Sequence, residues 1–349
     1  MRFGIMVDLG RTSADKSMQQ NLKEVTELVK TADLMGFDMV VCGEHHGHEM
    51  TIAPAPFTLL THFANVTTQV RLGTAVLCAP YWHPIRLAGE AALFDLISDG
   101  RLELGIGRGA YPYEFDRMAG GIAPEIARQQ LGELLPALRG LWHGNYAHDG
   151  SLYSFPATTS TPRPLRPEGP PLWVSARHPD LFAMAVENRA NLMVAPLDKG
   201  FEEVESLMDR RSEAIAKVNN GFEPEIAVLR DTYVSVTESD LIEAAKGMHR
   251  ADGYFANLFR TNGDVRDGWV SWVQSDDDAE AIATILENQV FGNVDDVRTE
   301  LKRYEAAGTD LYLYNATGGV PFELELASIE RFGAEIIPMF KESQIEAHA

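Results

Sequence analysis

Residues 70–115 read VRLGTAVLCAPYWHPIRLAGEAALFDLISDGRLELGIGRGAYPYEF. An apolar run over residues 70–77 is followed by Pro84, where a helix can begin because proline's missing N–H costs nothing at the first helical position. The helical stretch IRLAGEAALFDLIS stops at the turn Asp99-Gly100. A second apolar run, residues 101–107, comes directly after it. Strand, crossover helix, strand is the unit whose two strands pair in parallel.

The same unit recurs on both sides. Residues 2–7 (RFGIMV) read as a first strand. Met18, Leu22, Val25, Leu28, Val29, Ala32 and Met35 then repeat at helical spacing until Gly36. Residues 37–42 (FDMVVC) form a second strand, so 70–77 and 101–107 are the third and fourth. Residues 171–175, 191–195, 226–236 and 310–315 supply strands five to eight, the last after a helix capped near Asn293 and Asp295. Eight such units predict a closed (β/α)₈ barrel, the TIM-barrel form of the α/β class, as one domain over residues 1–349. An open doubly wound sheet is the alternative, but no GxGxxG opens a helix after strand one. Residues 143–170 read as a Pro/Thr/Ser/Gly-rich linker-like loop. Residues 247–276, rich in glycine and aromatics, read as an insertion after strand seven, either a lid or an ordinary packed excursion.

The 349 residues carry 30 basic and 51 acidic side chains, a formal charge of −21. This acidity argues against nucleic acid, which needs a basic footprint, and against an anionic membrane surface. No apolar run reaches 18 residues, and the N-terminal MRFGIMVD lacks the pattern of a signal peptide. Two cysteines, Cys42 and Cys78, make no disulfide framework. A cytoplasmic enzyme is the expectation.

Barrel enzymes place their chemistry at the C-terminal ends of strands. After strand two comes VCGEHHGHEM, residues 41–50. If the strand continues, His45 and His46 face opposite sides, and the inward one, His45, suits proton transfer near neutral pH. Glu44 reads as orienting His45 or a backbone amide, while His48 and Glu49 read as solvated. His46-Gly47-His48 is an HxH. Metallohydrolase barrels carry theirs after strand one, and strand eight here ends in Asn315 rather than aspartate, so no metal is assigned. After strand four, Arg108 stands between Gly107 and Gly109, a fixed cation where backbone and a phosphate can approach. Arg177 after strand five and Arg128 in the helix beyond strand four are further candidates. Tyr81, Trp82, Tyr111 and Phe115 offer apolar walls for a substrate pocket.

FGIMVD, GFDMVVCGEHH, the opening segment through GIGRGAYPYEF and the late AAGTDLYLYN together resemble the bacterial luciferase-like flavin monooxygenases. The resemblance implies a usually dimeric barrel, as a homodimer or a heterodimer with a related subunit. It would take reduced FMN from a separate flavin reductase and activate O₂ as a flavin peroxide. A small organic substrate, such as an aldehyde or ketone, is then oxidised. By position, His45 resembles the catalytic histidine, Arg108 the phosphate arginine, and Arg128 a second one. Ala176, Arg177 and His178 fall on the binding segment after strand five. A non-proline cis peptide is implied between Ala75 and Val76, seating the flavin ring. A family cysteine near the flavin falls on Gly107, and luciferase has Glu-Ser where Arg177-His178 stand, so light emission is not predicted. Rival readings are a deazaflavin-dependent hydride-transfer enzyme of the same superfamily, a metal-dependent hydrolase, and a silent flavin-binding subunit.

Overall fold

The computed structural model describes residues 1–260, 263–275, 277–316 and 319–341. Residues 261, 262 and 276 of the expected insertion, and 317, 318 and 342–349 of the expected domain, lie outside the described residues. The barrel strands are β1 (Arg2–Met6), β2 (Met39–Cys42), β3 (Arg71–Thr74, resumed as Leu77–Cys78), β4 (Leu102–Gly107), β5 (Leu172–Ser175), β6 (Asn191–Val194), β7 (Ile226–Val234) and β8 (Leu311–Asn315). All neighbours pair in parallel. Closure is direct: β7 pairs with β6 through Ile226↔Leu192 and with β8 through Ala227↔Leu311.

Helices surround the cylinder: α1 (Met18–Leu34), α2 (Pro56–Val66), α3 (Pro84–Ile97), α4 (Pro112–Met118), α5 (Pro124–His143), α6 (Pro179–Glu187), α7 (Phe201–Val218), α8 (Glu238–Leu258), α9 (Asp278–Asn288), α10 (Val294–Ala307) and α11 (Phe322–Arg331). Their apolar faces and the outward strand residues form the main core, which includes Leu28, Leu60, Leu87, Leu138, Phe182 and Tyr304. The inward strand residues make a smaller core, with Met39, Val41, Trp173, Met193, Ala227, Leu311 and Leu313. This double burial is why the strands read as near-continuous apolar runs rather than alternating ones.

Strand three departs from the uninterrupted run expected. The Ala75–Val76 peptide is cis and divides it into two segments. At the break β4 comes very close: a Cβ on Gly105 would lie 2.0 Å from the Thr74 carbonyl oxygen. The Thr74 hydroxyl donates to the Gly105 carbonyl (2.7 Å) and accepts from the Gly105 N–H (2.9 Å).

The segment expected to be linker contains a hairpin, Tyr146–Asp149 with Ser154–Thr158. Glu133 of α5 organises it, accepting from the amides of Ser151, Leu152 and Tyr153 and from the Ser151 hydroxyl. The expected insertion is also re-drawn. Its first part, from Gly247 to Leu258, continues α8, and only then does a short hairpin follow, Val265–Arg266 with Trp269–Val270. Gly253 is required there because a Cβ would lie 2.0 Å from Trp272 Nε1. Cys42 and Cys78 are free and buried. No helix among the described residues is long and apolar enough to cross a membrane.

Candidate active site

Every candidate from the strand-end reading lies at the C-terminal end of the barrel. The loop after β2 folds back through the bridge His45↔Ala53. His45 is 20% exposed, and a Cβ on Gly43 would lie 3.4 Å from its Cδ2 and Nε2 and 3.7 Å from the Ala75 carbonyl oxygen. The Nε2 edge of His45 therefore sits beside the cis peptide. Tyr111, after β4, packs on the other side of the ring at 5.2 Å.

The partner of His45 is Glu114 of α4, a residue the sequence reading passed over. Its Oε1 lies 3.1 Å from His45 Nδ1, 2.7 Å from the His46 amide nitrogen and 3.3 Å from His48 Nε2. Glu114 and His48 are buried, so the expectation of a solvated His48 is corrected. Tyr113 closes over this loop, donating from its hydroxyl to the Gly47 carbonyl at 2.9 Å. Burial disfavours the Glu114 carboxylate, but the hydrogen bonds from His45 and His48, the charge of His45 and the His46 amide outweigh it, bringing its pKa down to about 2. Burial, then the nearby Glu114 and Asp8 charges, push the Tyr111 phenol far up, so it stays neutral. Burial, then Glu44 and Glu114, likewise keep the Cys78 thiol protonated.

Glu44 does not orient His45. It points to the other side of β2, where Oε2 accepts from the Cys78 amide (2.7 Å) and Trp82 Nε1 (2.9 Å), and Oε1 lies 3.2 Å from His46 Nε2. It ties the end of β2 to the end of β3. Replacing it with alanine leaves two buried donors unpaired, and unfolding in urea should show a loss of about 3 kcal/mol. A loss under about 1 kcal/mol would contradict this bracing role.

The proposed pocket walls divide into two groups. Tyr81 and Trp82 line a cavity of about 330 Å³ with Glu44, His46, Phe57 and Arg86, behind the β2 end. Tyr111 belongs to the His45 side, where Phe259 meets it edge-on at 5.0 Å. Phe115 lies under Gly109, 2.7 Å from the place a Cβ would take. The hairpin after α8 is fastened over the mouth: the Glu49 amide donates to the Gly268 carbonyl (2.7 Å), and Arg11 lies 5.0 Å from the Trp269 ring.

Arg108 follows β4, half-buried, and makes no hydrogen bond or ion pair among the described residues. Gly107 is close to protein rather than open to a ligand, since a Cβ there would meet Val76 Cγ2 at 2.7 Å and Ser175 Cβ at 3.2 Å. β5 pairs with β4, so residues 176–178 emerge beside Arg108. Ala176 is buried with its amide committed to the Met193 carbonyl at 3.0 Å, which removes it as a ligand donor. The Arg177 side chain is exposed. His178 caps α6, accepting from the Asp180 amide, and Asp180 also pairs with Arg128 at 3.2 Å. Arg128 thus pairs with the Asp180 carboxylate at the head of α6, while His178 caps the helix through the Asp180 amide.

His45, His48 and Glu114 each offer a donor atom, and all three atoms lie within 4.8 Å of one another. The HxH pair does not act together, because His46 turns to Glu44 while His48 turns to Glu114. Thr51 donates its amide to His48 Nδ1 at 3.4 Å, which places the His48 proton on Nε2, facing the carboxylate. Among the described residues His45 hydrogen-bonds Glu114 Oε1, while His48 Nε2 lies 3.3 Å from that oxygen outside hydrogen-bond geometry and Glu114 Oε2 has no hydrogen-bond partner.

The family model described as luciferase-like monooxygenase matches residues 1–311. The chain belongs to that family. A curated relative, the oxygenase component of flavin-dependent trigonelline monooxygenase from Acinetobacter baylyi, is 41% identical over 350 residues, covering 99% of this chain and 97% of the relative. The monooxygenase RslO1 from Streptomyces bottropensis superposes with a TM-score of 0.84 at 26% identity, covering 97% of this chain and 100% of that one. The FMN-bound oxygenating constituent of 3,6-diketocamphane monooxygenase from Pseudomonas putida shares the fold, with a TM-score of 0.76 at 18% identity over 97% and 98% of the two chains. This luciferase-like monooxygenase is accordingly a flavin-dependent oxidoreductase, similar along its length to the oxygenase half of a two-component system.

Proposed function

We propose that this monooxygenase binds reduced FMN, delivered by a separate flavin reductase, at the mouth of the barrel and uses O₂ to oxygenate a small organic substrate. The observation that carries the reading is the free guanidinium of Arg108 in a chain of charge −21, at the same barrel end as His45. A cation without an anionic partner among the described residues of so acidic a protein is suited to a phosphate. Arg108 would hold the phosphate, with Arg177 beside it, and His45 would stand at the flavin ring. Bound reduced FMN would supply the electrons that let O₂ oxidise the substrate. His45 would take and return a proton at Nε2, while Tyr111 and the hairpin over the mouth exclude water.

Titration of the protein with reduced FMN under anaerobic conditions, followed by admission of ¹⁸O₂ with substrate, tests the reading. One ¹⁸O atom in the product is expected. Turnover without oxygen uptake would instead favour the deazaflavin hydride-transfer alternative.

The full-length likeness to a trigonelline monooxygenase component moves the proposed substrate from aldehydes and ketones toward a small ring carrying a cationic nitrogen and a carboxylate. Acid groups near the end of β7 support this. Crowding by surrounding protein, and then the charges of Asp231 and Asp198, push the Asp252 carboxyl above its usual range, although its side chain is exposed to solvent. A cationic ring between these groups would relieve their repulsion. Asp252→Asn should raise KM for an N-methylpyridinium carboxylate by about tenfold and leave KM for the unmethylated acid nearly unchanged. Equal effects on the two would remove this support for a cationic substrate.

Pairing of two chains, or of this chain with a related subunit, is supported by an exposed apolar strip on α3, where Leu93, Leu96 and Ile97 are 49%, 41% and 51% exposed.

A further inference from the structure

Glu114 is a buried anion held by one short loop. His45, His46 and His48 all direct nitrogens at Oε1, and no arginine or lysine pairs with it among the described residues. Its second oxygen, Oε2, is buried with no hydrogen-bond partner there, and His48 Nε2, 3.3 Å from Oε1, makes an ion-pair contact outside hydrogen-bond geometry. Structural bracing alone would be met by the backbone amide of His46. Two imidazoles on the same oxygen call for a further reason.

The proton positions follow from the partners. His48 Nδ1 accepts from the Thr51 amide, so its proton is on Nε2, at the carboxylate. An ionised carboxylate only accepts, so His45 must present Nδ1–H to it, and in the neutral ring Nε2 is then the bare nitrogen. That bare nitrogen is the edge beside Gly43 and the Ala75 carbonyl, toward the mouth.

We propose that Glu114 and His48 are positioning residues for His45: Glu114 fixes the His45 tautomer and serves as counter-ion when Nε2 takes a proton, and His48 moderates that counter-ion by sharing its charge. This inference rests on the proposed role of His45 in flavin-dependent oxygenation.

Other titratable groups face the cluster from each neighbouring element. Tyr111 after β4, and Cys78 and Tyr81 after β3, are held neutral: burial pushes all three up first, followed by nearby carboxylates for Tyr111 and Cys78 and by Cys78 for Tyr81. Glu44 is occupied by His46, Cys78 and Trp82 on the far side of β2. Asp8 after β1 lies near Tyr111 and adds to the upward push on its phenol. Glu114 and His48 are therefore the groups whose removal acts on His45 directly, and they act in opposite directions.

Without the negative charge of Glu114, protonated His45 is less stable, so the acid limb of the kcat/KM profile moves to lower pH. Without the N–H of His48, the carboxylate acts undivided on His45, so the limb moves to higher pH. Glu114→Gln should move it down by about one pH unit and cost about tenfold in kcat. His48→Phe should move it up. His48→Gln, which retains a donor, should restore the wild-type position.

A second readout needs neither flavin nor turnover. ¹⁵N-histidine NMR of the flavin-free protein, assigned with single histidine variants, should show His45 protonated on Nδ1 and His48 on Nε2, with the His45 tautomer lost in Glu114→Gln. A wild-type His45 protonated on Nε2, variants that shift the acid limb in one direction or not at all, or stoichiometric Zn²⁺ binding that requires Glu114 would each overturn the proposal. If the wild-type protein takes up no oxygen with reduced FMN, the functional reading fails by itself, and the NMR result still decides the tautomers.

Discussion

His45→Ala is expected to lower turnover by about 10²–10⁴-fold while reduced FMN still binds. The size follows from the task assigned to the ring, a positioned proton acceptor and donor at one atom. Among the described residues, none of the neighbouring titratable groups can substitute for it. Tyr111 is pushed up by burial and the adjacent carboxylates and does not titrate in the working range, and Cys78 is likewise held protonated. His48 is enclosed, with both ring nitrogens directed at protein groups, and His46 faces Glu44 on the other side of the strand. Steady-state oxygenation and anaerobic binding, measured on the same preparation, separate the two effects. Unchanged turnover would remove His45 from the reaction. A parallel loss of flavin binding would make it a binding residue instead.

Arg108→Ala should have the complementary phenotype, weakening reduced FMN binding by about 10- to 100-fold, the value of a lost charge-assisted hydrogen bond or pair of bonds. Arg108 has no partner to strand among the described residues, so the substitution removes a ligand contact without leaving a buried charge behind. Stability should therefore change little. Arg128 offers less, because it is already paired with Asp180. Riboflavin, which lacks the phosphate, provides the control: its affinity should be the same for wild type and variant. An unaltered FMN dissociation constant, or an equal loss for riboflavin, would place the phosphate elsewhere.

The barrel was legible because its strands are buried on both faces and its helices on one, two patterns that read differently in sequence. The proline and Asp-Gly punctuation around α3 and the cap at Asn293 marked boundaries that hold in the structure. Three features depended on long-range contacts and were not legible. The hairpin of residues 146–158 is organised by Glu133, which lies in the preceding helix, so its own Pro- and Thr-rich composition suggested only a loop. α8 continues through Gly247 and Gly253, which read as loop glycines but serve close approach by Gly319 and Trp272. Glu114 sits one turn into a short helix after Pro112, and nothing local indicates that it turns back onto a loop some 68 residues earlier. The signal was present only in combination: an acid in the short helix after strand four, opposite a loop with three histidines.

The most direct test of the central claim is a crystal structure of this protein with FMN. The account predicts the phosphate within hydrogen-bonding distance of the Arg108 guanidinium and the isoalloxazine against the Nε2 edge of His45, beneath the hairpin of residues 265–270. Flavin bound elsewhere, for example in the cavity lined by Tyr81 and Trp82, with Arg108 and His45 both free of it, would contradict the account.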